Sequence, residues 1–265
     1  MKLFLAILFM AMAFASSFKL HLPFGIKNLP KIENKIEGRI VNGYTAEKGQ
    51  IPFIVGLSFD SDEGSWWCGG SIVDNAWILT AAHCTFGASS VIIYYGTTKL
   101  DHGDPTHNVN SDDFVEHPDY DDDTMDNDVA LIRTPSVSYT DLIQSVTLPD
   151  SRDNRYEGSW STSCGWGLTS NDGPMAKKLK CGDFHIISND QCSEEIGDVD
   201  DNVLCVSTSE GVSTCEGDSG GPLLSTDDHV LIGINSFVIE DCESGFPAGF
   251  TRVSDHLDWI HEQIG

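Results

Sequence analysis

Gly217-Asp218-Ser219-Gly220-Gly221-Pro222-Leu223 is the stretch whose reading decides the fold. A serine between glycines, preceded by an aspartate, suits a nucleophile on a tight turn. The glycines accept backbone angles that a side chain forbids and let a carbonyl group approach the main chain. The Gly217 and Ser219 amides can then point at one spot, as an oxyanion hole requires. Plain loop chemistry would also produce such a turn, so the assignment depends on partners elsewhere in the chain.

Two stretches upstream supply them: Thr80-Ala81-Ala82-His83-Cys84 and Asp126-Asn127-Asp128-Val129-Ala130-Leu131-Ile132. Serine is a weak nucleophile near neutral pH. It needs a base within hydrogen-bond reach, and the base needs a third group to set its tautomer. His83, Asp128 and Ser219 are the candidates, and His83 follows the apolar run Trp77-Ile78-Leu79, at a strand end. With this chain order of histidine, aspartate and serine, the sequence resembles the chymotrypsin-like serine proteases. The resemblance runs from Ile40 to the end of the chain.

It implies an all-β fold of two six-stranded antiparallel β-barrels, about 40–147 and 148–252, packed together with a C-terminal helix over 254–264. The residues agree with this. Short β-rich runs recur between frequent Gly and Pro, and 265 residues at 40% hydrophobic content can bury a substantial core. Ser254 is the expected cap of the final helix, whose apolar face is Val253, Leu257, Ile260 and Ile264. No internal repeat, low-complexity tract or Asn-x-Ser/Thr glycosylation site occurs.

Charge narrows the partners. Residues 1–39 hold six Lys/Arg against two Glu, so the chain's net charge of -26 becomes -30 over residues 40–265. Such a surface disfavours nucleic acid and anionic membrane. The acidic run Asp119–Asp123 lacks the EF-hand spacing for calcium and reads as a solvated loop. No metal and no cofactor is expected.

The N-terminus reads as a secretory leader over residues 1–15. Lys2 is followed by an apolar run from Leu3 to Ala15, too short for a membrane span, with Ala13-Phe14-Ala15 fitting a cleavage site. Residues 16–39 form a short propeptide ending at Arg39, before Ile40-Val41-Asn42-Gly43. In the resemblance, cleavage after Arg39 frees the Ile40 ammonium to pair with Asp218, so the expected product is a secreted zymogen. The catalytic domain is then 40–265. Polypeptide substrates, an activating trypsin-like protease and protein protease inhibitors are the implied partners of a monomer.

The eight cysteines imply disulfides in a secreted chain, and the resemblance suggests Cys68–Cys84, Cys192–Cys205 and Cys215–Cys242. Cys164 and Cys181 remain, flanking an apparent hairpin, and are paired by elimination.

Family resemblance also implies the specificity pocket. Ser213 stands at its base, where no carboxylate is available for Arg or Lys. Val238 and Ala248 stand on its walls, where glycines would admit aromatic rings. Ser236 is expected to support Asp128, Phe237 and Val238 to pair with extended substrate, and Glu216 to stand at the pocket mouth. The expected activity is elastase-like cleavage after small to medium aliphatic residues. A chymotrypsin-like preference for Phe, Tyr or Leu is the alternative, and a non-catalytic binding module the remote one.

Overall fold

The computed structural model describes residues 40–151 and 155–265. The expected leader, the segment 16–39 and Arg39 lie outside the described residues. Among the described residues fourteen strands occur in chain order. The first eight are β1 (Tyr44–Thr45), β2 (Ile54–Ser61), β3 (Gly64–Asp74), β4 (Trp77–Thr80), β5 (Ser90–Tyr94), β6 (Thr106–Asn110), β7 (Phe114–Glu116) and β8 (Ala130–Arg133). Then come β9 (Trp160–Gly165), β10 (Lys180–Ile187), β11 (Val203–Ser207), β12 (Pro222–Ser225), β13 (Leu231–Phe237) and β14 (Ala248–Arg252). Three helices complete the set: α1 (Ala82–Thr85), α2 (Asn189–Ile196) and α3 (Leu257–Ile264).

Two antiparallel sheets result. The first runs β6-β5-β2-β3-β4-β8-β7 and curls without its edge strands pairing. In the second, β10-β11-β14-β13-β12-β9 closes through a β9–β10 ladder into a six-stranded barrel. The sequence reading expects both units; closure of the second alone is decided by long-range pairing. The antiparallel ladder sets Cys164 opposite Cys181, with Cα atoms 4.1 Å apart, and they form a disulfide. The other three join Cys68 to Cys84, Cys192 to Cys205 and Cys215 to Cys242.

Alternating apolar residues build the two main cores. Val55, Leu57, Phe59, Ile72, Leu79, Ile93 and Leu131 fill the first. Phe184, Ile186, Leu204, Val206, Leu223 and Phe250 fill the second. Each end of the described chain crosses to the other unit. Ile40 is buried in the second core, and β1 pairs with β10 of the second sheet. Residues 40–45 thus belong structurally to the second unit rather than the first. Conversely, Val253, Leu257 and Ile260 lie in the first core, with Ile264 packed against it.

The final helix starts later than its sequence suggests. Val253–His256 is a 3-10 turn, and α3 begins at Leu257 with no side-chain cap. Ser254 lies inside the tighter turn, so its hydroxyl is buried without a hydrogen-bond partner among the described residues instead of reaching helix amides. By contrast α2 starts on a capping box that the sequence analysis passes over. Ser188 Oγ accepts from Gln191 N at 3.2 Å, and Ser188 N donates to Gln191 Oε1 at 3.3 Å. Ser188→Ala is expected to cost about 1 kcal/mol of stability. Urea unfolding reads this directly; an unchanged midpoint would show the box to be energetically idle.

Candidate active site

β4 delivers Thr80, and the chain then turns into α1, which carries His83. Several ties hold this turn to β3. Thr80 Oγ1 donates to the Gly69 carbonyl at 2.8 Å, Trp66 Nε1 donates to the Cys84 carbonyl at 3.0 Å, and Cys84 is bonded to Cys68. Asp128 precedes β8, whose neighbour is β4, so its fully buried carboxylate meets the histidine. His83 N donates to Asp128 Oδ1 at 2.9 Å. His83 Nδ1 lies 2.8 Å from Asp128 Oδ2, and a carboxylate there sets the tautomer with the proton on Nδ1. Nε2 is then left to accept a proton.

Two further groups fix Asp128. Ser236 Oγ donates to Oδ2 at 2.6 Å, and Thr251 Oγ1 donates to the Asp128 carbonyl at 2.8 Å. Ser236 can do so because β13 is bulged there. Asn235 faces Phe250 and Phe237 faces Gly249, leaving Ser236 as an extra residue between them. Bulges re-aim side chains in this way.

The Ser219 loop is pressed against the same strands. Gly69 N donates to the Ser219 carbonyl at 2.7 Å, and Gly220 N donates to the Asn235 carbonyl at 2.8 Å. Gly220 has φ of +72°, and a Cβ there would stand 2.1 Å from Thr80 Oγ1 and 2.6 Å from the Gly69 carbonyl oxygen. Only glycine fits, and its fit brings the serine loop onto the strand ends that carry His83. Among the described residues, neither the Gly217 nor the Ser219 amide donates a hydrogen bond to a protein acceptor. Met175, which sequence reasoning did not single out, crowds Gly217: a Cβ there would lie 2.9 Å from Met175 Cε.

Asp218 turns the other way and is almost wholly buried. Its Oδ1 accepts from Gly167 N at 2.7 Å and its Oδ2 from Cys215 N at 3.0 Å. A Cβ on Gly167 would stand 2.5 Å from the carboxylate carbon, so a glycine is required for this approach. Among the described residues no cationic side chain forms an ion pair with Asp218. Burial pushes its pKa up to about 7, while the two backbone N–H groups act in the opposite direction.

The residues expected at the pocket lie in the segment just before Ser219, at the end of β13 and on β14. Ser213 is buried, its hydroxyl donates to the Thr214 carbonyl at 2.9 Å, and its own carbonyl accepts from Val41 N at 3.2 Å. Ala248 is fully buried on β14 opposite Val206. Val238 is half-buried and packs against the buried cluster of Val41 and the Cys215–Cys242 disulfide. Glu216 is exposed, and its carbonyl accepts from Leu168 N. Phe237 lies over Gly249 at the end of β13 and helps line a cavity of about 490 Å³ with Met125, Asp126, Ile196, Val199 and Ile239. The acidic loop closes on itself, Asp121 Oδ1 accepting from the Asp123 and Thr124 amides, and its carboxylates are exposed. Cys68 and Cys84 lie close to His83, but their sulfurs are joined to each other, so neither offers the thiolate that a metal would need.

A buried carboxylate orienting a half-exposed histidine, beside a glycine-framed serine on a two-unit β fold, defines the chymotrypsin-like serine endopeptidases. Comparisons place the chain among them. The Trypsin family model matches residues 40–260. Serine protease 1 of Drosophila melanogaster is 46% identical over 233 residues, covering 87% of each chain. A collagenase of Hypoderma lineatum is 43% identical over 235 residues, covering 86% of this chain and 88% of its own. A solved collagenase structure superposes with a TM-score of 0.80 at 41% identity, covering 85% of this chain and 98% of the other. This chain belongs to the trypsin family. It is a serine endopeptidase, a hydrolase acting on polypeptides.

Proposed function

We propose that this enzyme is a secreted zymogen that, once cut after Arg39, cleaves after small to medium aliphatic residues. Ser219 Oγ attacks the scissile carbonyl carbon while His83 Nε2 takes the serine proton. The C–N bond then breaks, and His83 gives the proton to the departing amine. Water repeats the sequence on the acyl-enzyme, releasing the new carboxylate and restoring Ser219. Asp128 orients His83 and stabilises the imidazolium formed along the way. The Gly217 and Ser219 amides, lacking protein acceptors, stabilise the oxyanion.

The specificity reading rests on the resemblance, which puts Ser213 at the pocket base and Val238 and Ala248 on its walls. It is supported by the burial of Ser213 and Ala248 and the packing of Val238 on the Cys215–Cys242 disulfide. No carboxylate is present there to pair with Arg or Lys, so a separate trypsin-like protease would perform the cut at Arg39. Glu216, exposed on a chain of net charge -26, disfavours acidic residues near the scissile bond. Phe237 and Val238 offer backbone to an extended substrate, whose side chains have the neighbouring cavity within reach.

The test is a peptide panel carrying Ala, Val, Leu, Phe or Arg before the scissile bond, run on trypsin-activated enzyme after the trypsin is removed. Turnover is expected to be fastest on Ala, Val or Leu. A single methylene in such a pocket is worth about 10- to 200-fold, so Val238→Gly is expected to move the preference toward Phe by a similar factor. Fastest wild-type turnover on Phe would overturn the narrow pocket while leaving the protease intact.

A further inference from the structure

Asn127, immediately before Asp128, has φ of +53°, a left-handed conformation uncommon outside glycine but one in which asparagine is enriched. Its side chain is held at both ends. Nδ2 donates to the Asp119 carbonyl at 2.9 Å, across the acidic loop. Oδ1 therefore faces the other way, and it lies 3.3 Å from His256 Nε2. His256 is buried at 4% exposure at the end of the 3-10 turn, with Nδ1 3.0 Å from the Arg252 carbonyl. A carbonyl oxygen only accepts, so Nδ1 must carry a proton. With the Asn127 amide oriented by Asp119, Oδ1 also only accepts, and Nε2 must carry one too. These two contacts are satisfied together only when both ring nitrogens carry a proton.

From the loop between β7 and β8, the His117 ring packs on His256 with centroids 5.3 Å apart, and Asp119 lies behind it. From α3, Trp259 covers His117, and Asp258 stands in the first turn. On the β14 side, the Arg252 guanidinium is spent on the carbonyls of Asp201, Arg155 and Val203 and on Asn189 Oδ1. His117 Nδ1 accepts from Asp119 N at 3.2 Å, which needs its neutral form. Burial, and then the neighbouring His256, hold His117 below the ordinary histidine value.

We propose that His256 is a positioning residue for catalysis: its Nε2–H clamps the Asn127 side chain and so holds Asp128 in register with His83. The inference rests on the triad reading above. It acts through backbone, since Asn127 and Asp128 share a peptide and Val129 N donates to the Asn127 carbonyl at 2.7 Å. Thr251, one residue before Arg252, grips the Asp128 carbonyl from the same segment. The C-terminal segment therefore holds this corner of the triad at two points.

Two measurements test it. In the full chain carrying Ser219→Ala, selectively ¹⁵N-labelled histidines would be recorded at about pH 7.5, where an ordinary histidine is mostly neutral. His256, assigned by its loss in a His256→Gln chain, is expected to carry a proton on Nε2 as well as on Nδ1; an Nε2 without a proton overturns the clamp. In activated enzyme, His256→Phe keeps a ring but no donor, and is expected to lower kcat about tenfold or more with KM little changed. His256→Gln, which can still donate to Asn127, is expected to recover most of that loss. A His256→Phe enzyme with wild-type kcat, or one altered only in KM, overturns the positioning role. If the wild-type enzyme itself cleaved no peptide, the triad reading would have failed instead, and the nitrogen spectra would still report on the clamp.

Discussion

Ser219→Ala is expected to lower kcat by about 10⁶-fold, and His83→Ala by about as much. The double variant should be no worse than either single one. In the proposed mechanism serine and histidine work as one unit: the histidine's only route to the reaction is the serine proton, and without the base the hydroxyl is a poor nucleophile. Asp128→Asn should cost about 10⁴-fold, because an amide at this position no longer favours the Nδ1 proton on His83. The residual rate would come from the oxyanion donors and substrate binding, which these substitutions leave in place. Burst kinetics with an active-ester substrate, together with unchanged circular dichroism, would make the measurement. A Ser219→Ala enzyme within about tenfold of wild type would remove the serine from the mechanism.

Asp218 carries the second large effect, and it is one of stability. Its pKa in the folded chain is raised from 3.8 to about 7 by burial without a cation. A carboxyl with a raised folded pKa adds stability that is fully present below its unfolded value and lost as pH rises through the folded one. For the uncut chain the loss falls between about pH 4 and 7, and a shift of this size corresponds to something on the order of 4 kcal/mol. Urea unfolding of the uncut chain against Asp218→Asn across that window isolates the contribution, because all other carboxylates are common to both. Wild type is expected to lose stability relative to the variant as pH rises. Parallel curves would sink the argument. In the activated enzyme the sign should invert: an Ile40 ammonium paired with Asp218 lowers the carboxyl pKa, so stability is lost as pH falls instead. In the proposed activated form Asp218→Asn is expected to strand the Ile40 ammonium and to cost about 3–5 kcal/mol.

Much of the site was legible because its chemistry is written in short local runs. The turn around Ser219 needs its glycines in sequence, and the His83 and Asp128 stretches each join a polar group to an adjoining strand. Other features left no local mark. Thr251 meets the Asp128 carbonyl across 123 residues, and nothing in Phe250-Thr251-Arg252 distinguishes that hydroxyl from one on any strand. Ser236, assigned to Asp128 by the family resemblance and not by any local pattern, reaches it through a bulge created by the register between β13 and β14. The Asn127–His256 contact joins residues 129 apart, where a histidine in an amphipathic pattern reads as ordinary packing. Ser254 shows the converse: a residue type suited to capping was overruled when the 3-10 turn buried it.

By itself, then, the sequence determined the β-rich class and singled out the candidate reacting groups, because each depends on residue type and near neighbours. Tertiary structure alone decided which sheet closes, which unit each chain end joins, and how Asp128 and Asp218 are held. Those outcomes depend on strand register and on burial, and both are set by pairings between segments that lie far apart along the chain.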